Sequence, residues 1–202
     1  MKNNKAIYIL YVIIILELIG FFFSISERGV KIFAYYTQIS NIITIISAAA
    51  LLISYKKGRS AKWVMALRYA SSCMLMLTAI ITIFVLAPSG ECSLGKLLFS
   101  PLENGLYHHL LCPLLSITSY VTFEAHMGDK KGIFIPVAAT ILYGTTLVIL
   151  NITHLFYGPY PFFKVYEQTV GTSIAWFSAI ILGVSLISLL MQRISNKKSH
   201  IQ

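Results

Sequence analysis

Two adjacent histidines, His108 and His109, lie in the apolar segment NGLYHHLLCPLL. An imidazole is the usual general base near neutral pH, and it turns a hydroxyl into a useful nucleophile by removing its proton. Thr37, in the apolar segment YYTQISNIITII, supplies such a hydroxyl. A threonine and a histidine held within about 2.6–3.2 Å of each other would support acyl transfer, the chemistry of ester hydrolysis.

A metal site is the alternative chemistry for this segment. His108 and Cys112 are spaced i, i+4, and His154 is available as a third ligand for zinc. The sequence lacks the second cysteine or the carboxylate cluster that would complete the site. We therefore predict no metal, and hydrolysis by a threonine and a histidine requires no cofactor.

The composition indicates that these residues lie in a membrane. Of 202 residues, 57% are hydrophobic and 11% are charged, with a mean hydropathy of +0.77. A soluble domain has about 45–50% apolar and about 25% charged residues. Six stretches approach the roughly 20 apolar residues that a spanning helix needs: about 6–25, 36–55, 64–87, 104–125, 133–155 and 172–192. We predict an all-α polytopic membrane protein, a single domain over residues 1–202 that forms a six-transmembrane-helix bundle.

The basic residues alternate between the two predicted sides of the bundle. One side carries Lys2, Lys5, Lys56, Lys57, Arg59, Lys62, Lys130, Lys131, Arg193, Lys197 and Lys198, and the other carries Arg28, Lys31, Lys96 and Lys164. This is the positive-inside pattern, and it predicts cytoplasmic N- and C-termini. The net charge of +9 thus reports topology and contact with membrane lipids, not binding to nucleic acid. The prediction is a multi-pass protein of the cell membrane.

Alternating helix direction fixes the depth of the polar residues. It brings Thr37, the two histidines, His154 and Glu17 to roughly one level near the outer face. Polar groups at membrane depth are costly and are often functional. The inner half carries Arg68 and Glu124 at a common depth, and we predict that they form a structural pair.

Helical spacing distinguishes the two histidines. In a regular helix His109 lies about 20° from Ser116, which marks a polar face, and His108 lies about 80° from it. His109 is therefore favoured as the base, with His108 as the alternative. The candidates for binding substrate or its oxyanion are Asn41, Asn151, His154, Tyr160 and Glu17.

Three segments, YYTQISNIITII, NGLYHHLLCPLL and HLFYGPYPFF, together resemble the androgen-induced protein family. That family includes the androgen-dependent TFPI-regulating protein and bacterial six-helix homologues. The resemblance implies a membrane threonine hydrolase that cleaves fatty acid esters of hydroxy fatty acids, and its bacterial members point to a bacterial plasma membrane. The family threonine matches Thr37, and the family histidine matches either His108 or His109. The family Tyr-Pro-Phe matches Tyr160–Phe162 as a lid or loop-shaping element.

The predicted function is intramembrane hydrolysis of a lipid ester by Thr37 and His109 or His108. The rival is a non-catalytic lipid-binding or transport protein, in which the same polar cavity only holds a headgroup or an ion. A transporter is expected to show internal repeats or helices broken at the midplane. The sequence shows no convincing repeat, and most of the candidate polar residues within the spans lie near the outer face.

Overall fold

A computed structural model describes residues 4–59, 61–89, 93, 95, 105–124 and 130–199, and these residues are mostly helical, with no strand among them. The long helices are α1 (Asn4–Arg28), α2 (Tyr36–Lys56), α3 (Lys62–Ile81), α4 (Cys112–Phe123), α5 (Phe134–Ile152) and α6 (Val170–Ser199). A 3₁₀ turn, Gly29–Ala34, joins α1 to α2. One π-helical segment, Thr82–Leu86, extends α3, and a second, Leu106–Leu111, leads into α4.

Five of the described helices are long and apolar enough to cross a membrane: Asn4–Ala34, Tyr36–Lys56, Lys62–Leu86, Phe134–Ile152 and Val170–Ile194. The chain is therefore an all-α protein with the helices of a multi-pass membrane protein. The predicted span 104–125 is represented by a π-helical segment followed by the short helix α4, and its two end residues lie outside the described residues.

Helix α3 lies at the centre of the bundle, where it contacts α2, α4, α5 and α6. Small hydroxyl residues line its closest contact, the one with α2. The hydroxyls of Ser47 and Ser71 are 3.0 Å apart, and those of Ser40 and Thr78 are 3.3 Å apart. Small residues let two backbones approach closely, and their hydroxyls bond across the gap. This contact fixes the start of α2 beside the end of α3.

Pro113 explains why the chain leaves regular α-helical geometry at the two histidines. Proline has no amide N–H, so it cannot bond to the carbonyl of His109 four residues earlier, and its ring crowds that carbonyl. The preceding turn is π-helical, and the Cys112 N–H bonds to the carbonyl of Tyr107, five residues back. The angular positions of the histidines consequently differ from those of a regular helix.

The predicted pairing of Arg68 with Glu124 is confirmed. The Arg68 Nε lies 2.9 and 3.1 Å from the two carboxylate oxygens, and Nη2 lies 2.9 Å from one of them. The Arg68 Nη1 donates to the Ser116 hydroxyl at 2.7 Å. Both charged side chains are almost fully buried. The pair ties α3 to the end of α4, and α4 carries the histidine segment.

Removing one partner of this buried pair is expected to destabilise the protein strongly, because the other charge would stay buried and uncompensated. Glu124→Ala should cost about 3–5 kcal/mol, whereas the double variant Arg68→Met/Glu124→Leu should cost much less. The measurement is the thermal unfolding midpoint of the purified protein in detergent. Glu167→Gln is the control, since it breaks the exposed pair of Glu167 with Lys164 (3.3 Å), and such pairs contribute about 1 kcal/mol or less. Equal midpoints for Glu124→Ala and Glu167→Gln would contradict the structural role.

Candidate functional site

A small pocket, with a cavity volume of about 30 Å³, opens between the start of α2, the end of α3, α5, α6 and the loop after α5. Its walls are mostly apolar and aromatic, with a few hydroxyls among them. The lining residues are Tyr36, Thr37, Leu77, Thr78, Ile81, Thr82, Leu86, Thr140, Tyr143, Tyr160, Phe162, Phe163 and Ile180. An apolar cavity with a few convergent polar groups is the usual form of a small-molecule site.

Two tyrosines hold the start of α2 against α5. The Tyr143 hydroxyl donates to the carbonyl of Ala34 at 2.7 Å and accepts from the Tyr36 N–H at 3.1 Å. The Tyr36 hydroxyl lies 2.8 Å from the Thr140 hydroxyl. These contacts satisfy backbone groups that a helix start leaves unpaired. They also fix the position of Thr37, the next residue along the chain.

Thr37 has a hydroxyl that its own helix does not use. Many hydroxyls in these helices donate to the carbonyl four residues earlier, as Ser24, Thr44, Ser72, Thr140, Thr146, Ser185 and Ser188 do. Thr37 is the second residue of α2, so no carbonyl of that helix precedes it by a full turn. Its side chain is 6% exposed and lines the pocket. The Thr37 side chain therefore finds its partner at the pocket, in Tyr160.

Tyr160, a predicted oxyanion candidate, lies beside Thr37 in the pocket wall. Burial raises the pKa of the Tyr160 hydroxyl, and hydrogen bonding to Thr37 opposes part of that rise. The Tyr160 ring stacks on Phe162 with centroids 5.1 Å apart. Asn151 orders the same loop, because its side chain donates to the Tyr157 carbonyl and accepts from the Val165 N–H, both at 2.9 Å. Asn151 thus shapes the loop from outside the pocket lining.

His109 reaches the pocket through Thr82. Its Nδ1 lies 3.0 Å from the Thr82 hydroxyl, and Thr82 lines the pocket together with Thr37. In the described part of the chain, no hydrogen bond joins Thr37 to His109 or His108. The direct contact between Thr37 and a histidine that the sequence suggested is therefore not among the observed hydrogen bonds, and the His109 imidazole meets the Thr82 hydroxyl instead.

His108 points the other way, into a buried cluster with α1. Its Nε2 lies 3.4 Å from a carboxylate oxygen of Glu17 and 3.3 Å from the Glu17 carbonyl. Its Nδ1 lies 3.2 Å from the amide nitrogen of Gln38. An amide nitrogen only donates, so Nδ1 accepts and Nε2 carries the proton that faces Glu17. Both ring nitrogens are thus engaged, and His108 and Glu17 lie outside the pocket lining.

The remaining predicted residues also lie outside the pocket lining. Asn41 donates to the Thr37 carbonyl at 2.7 Å, one turn below the threonine. His154 has a positive φ of 57° and stacks on Tyr166 at 4.6 Å in the exposed loop. Within the described residues, no group of three or more His, Cys, Asp and Glu side chains is arranged to hold a metal.

Thr82 is the site residue that sequence reasoning missed. Thr78 and Thr82 are spaced i, i+4 near the outer end of the predicted span 64–87, at the depth expected for Thr37. Threonines in spanning helices are so often structural that this spacing carries little weight without the contact to His109.

The packing of His108 against α1 gives a testable consequence. An added Cβ at Gly20 would clash with the His108 imidazole, whereas one at Gly183 would meet a leucine methyl at 3.7 Å. Gly20→Ala should cost about 1–3 kcal/mol through overpacking, and Gly183→Ala should be neutral or stabilising, since alanine favours a helix. Unfolding midpoints of the two variants in detergent make the comparison. A neutral Gly20→Ala would mean that the ring is not held there.

Comparison of the chain with protein-family models, with curated proteins and with solved structures gave no match.

Proposed function

We propose that this protein hydrolyses lipid esters inside the membrane. The observation that carries the proposal is the pocket itself, in which the hydroxyl of Thr37, beside Tyr160, shares one apolar cavity with Thr82, whose hydroxyl is bonded to the imidazole of His109. A nucleophilic hydroxyl, an imidazole base and an apolar wall against which an acyl chain can lie are the parts that acyl transfer needs. The resemblance to the androgen-induced protein family supports the same chemistry and suggests fatty acid esters of hydroxy fatty acids as substrates.

In the proposed mechanism the Thr37 oxygen attacks the ester carbonyl and His109 takes up the proton. The proton then goes to the leaving alcohol, and water cleaves the acyl-enzyme in a second, equivalent step. The Tyr160 hydroxyl, beside Thr37, is the candidate donor to the oxyanion, because a donor fixed in an apolar site stabilises developing charge strongly. His108 is the second choice for the base, since Gln38 and Glu17 already engage both of its nitrogens.

The proposed setting is a bundle of six spans with both termini in the cytoplasm, in a bacterial plasma membrane. This topology rests on the distribution of basic residues and on the family resemblance. It puts the pocket near the outer face, where an ester can enter while its acyl chains remain in the bilayer.

Binding without catalysis is the alternative function. It is favoured by one observation, namely that no imidazole is bonded to Thr37 in the described residues. A lipid headgroup held by hydroxyls and tyrosines would use the same pocket.

Thr37→Ala is expected to reduce hydrolysis of a fatty acid ester of a hydroxy fatty acid by about 10³-fold or more, since the nucleophile is lost. Thr37→Ser should keep part of the activity. The measurement is kcat for the purified protein in proteoliposomes. Thr44→Ala is the matched control, because Thr44 is a buried threonine of the same helix whose hydroxyl donates to the Ser40 carbonyl. Full turnover by Thr37→Ala would reject the threonine as nucleophile and favour the binding function.

Topology can be tested with two exposed positions in a variant without native cysteines. Glu167→Cys lies in the loop after α5, on the proposed outer side, and Arg59→Cys lies between α2 and α3, on the proposed inner side. In intact cells an impermeant maleimide should label Glu167→Cys only, and it should label Arg59→Cys after permeabilisation. The reverse pattern would place the pocket near the cytoplasmic face.

A further inference from the structure

Thr82 and His109 form a hydroxyl–imidazole pair at the wall of the pocket. Within the described residues, theirs is the hydrogen bond that joins a hydroxyl to a histidine ring, at 3.0 Å. Thr82 is 1% exposed and lines the pocket together with Thr37. A hydroxyl held by an imidazole at this distance is already in the geometry of proton transfer.

Both partners come from irregular helical turns. Thr82 begins the π-helical segment Thr82–Leu86, in which the Ala87 N–H bonds to the Thr82 carbonyl, and His109 lies in the other π-helical segment, Leu106–Leu111. Insertions of this kind are rare in helices and are frequent at functional sites. In the described structure the Thr82 hydroxyl bonds to His109, whereas threonines 44, 140 and 146 bond to the carbonyl one turn earlier.

Two other threonine hydroxyls of the pocket already have partners in the protein. The Thr140 hydroxyl donates to the Pro136 carbonyl and meets Tyr36, and the Thr78 hydroxyl meets Ser40. Thr82 is thus the group that connects the pocket to an imidazole.

We propose that Thr82 is a positioning residue that carries the proton between Thr37 and His109, an inference that rests on the proposed hydrolysis. As the Thr37 oxygen forms its bond to the ester carbonyl carbon, the Thr37 proton passes to the Thr82 oxygen, directly or through one water molecule. The Thr82 proton passes at the same time to the His109 Nδ1, which becomes positively charged while Thr82 is restored. When the bond to the leaving alcohol breaks, the proton returns along the same path to the alcohol oxygen.

This relay requires His109 to be neutral, with its proton on Nε2 and a free electron pair on Nδ1. It also separates the roles of the two histidines. His109 acts through Thr82 on the pocket, and His108 holds the segment against α1.

The test compares Thr82→Val, which keeps the shape and removes the hydroxyl, with Thr82→Ser, which keeps the hydroxyl. Thr82→Val should lower kcat by about 10²-fold or more with little change in KM, since general base catalysis contributes about 10²–10⁴-fold. Thr82→Ser should stay within about tenfold of the unaltered protein. Thr44→Val is the control, and an unfolding midpoint is measured for each variant. If Thr82→Val does not fold, Thr82→Ala replaces it.

Two further readouts separate a relay from a merely structural threonine. The double variant Thr82→Val/His109→Ala should be no slower than His109→Ala alone, because groups that act as one unit are not additive. A fluorophosphonate probe should label Thr37 in the unaltered protein, located by peptide mass spectrometry, and should label it much more slowly in Thr82→Val.

Each contrary result has a distinct meaning. Wild-type kcat in Thr82→Val, or losses that add in the double variant, would overturn the relay and leave hydrolysis by Thr37 intact. Phosphorus found on Thr82 would also overturn it and make Thr82 the nucleophile. If the unaltered protein neither hydrolyses esters nor reacts with the probe, both the relay and the proposed function fail.

Discussion

The apolar surroundings of these helices impose the constraint on which the structure depends, because a polar group there must find its partner inside the protein. Helix α3 meets this demand at both ends. At its first half Arg68 is compensated by Glu124 and Ser116, which joins α3 to α4. Just beyond its far end, the Thr82 hydroxyl is hydrogen-bonded to His109, which lies in the π-helical segment that leads into α4. The two contacts together set where the histidine segment lies relative to the pocket.

Hydrogen bonding also distinguishes structural hydroxyls, which have a partner in their own helix, from hydroxyls that are candidates for chemistry. Many serine and threonine hydroxyls bond to a carbonyl of their own helix, and this satisfies them in an apolar medium. Thr37 and Thr82 depart from that pattern for different reasons: Thr37 lies in the first turn of α2, and Thr82 begins a π-helical turn. Both hydroxyls therefore face the same pocket, beside the buried Tyr160.

The sequence predicts the helical membrane class and the Arg68–Glu124 pair well, because apolar length and isolated buried charges are strong signals. It also places Thr37 near the end of a helix, and α2 does begin at Tyr36. It favours His109 over His108 for the pocket side, and the structure has His109 at the pocket wall and His108 against α1, but the helical wheel assumes a regular helix and does not describe the π-helical turn before Pro113. It misses Thr82 because the role of that residue depends on a contact between α3 and a segment 27 residues away, which no local pattern encodes.

The central claim is that Thr37 becomes acylated during turnover, and it can be tested by trapping that intermediate. The purified protein is mixed with a fatty acid ester of a hydroxy fatty acid, quenched in acid within the first turnovers and digested for mass spectrometry. The account predicts a burst of released hydroxy acid and an added fatty acyl mass on the peptide that contains Thr37. Release of product without a burst and without acylated protein, or an acyl group on any other residue, would contradict it.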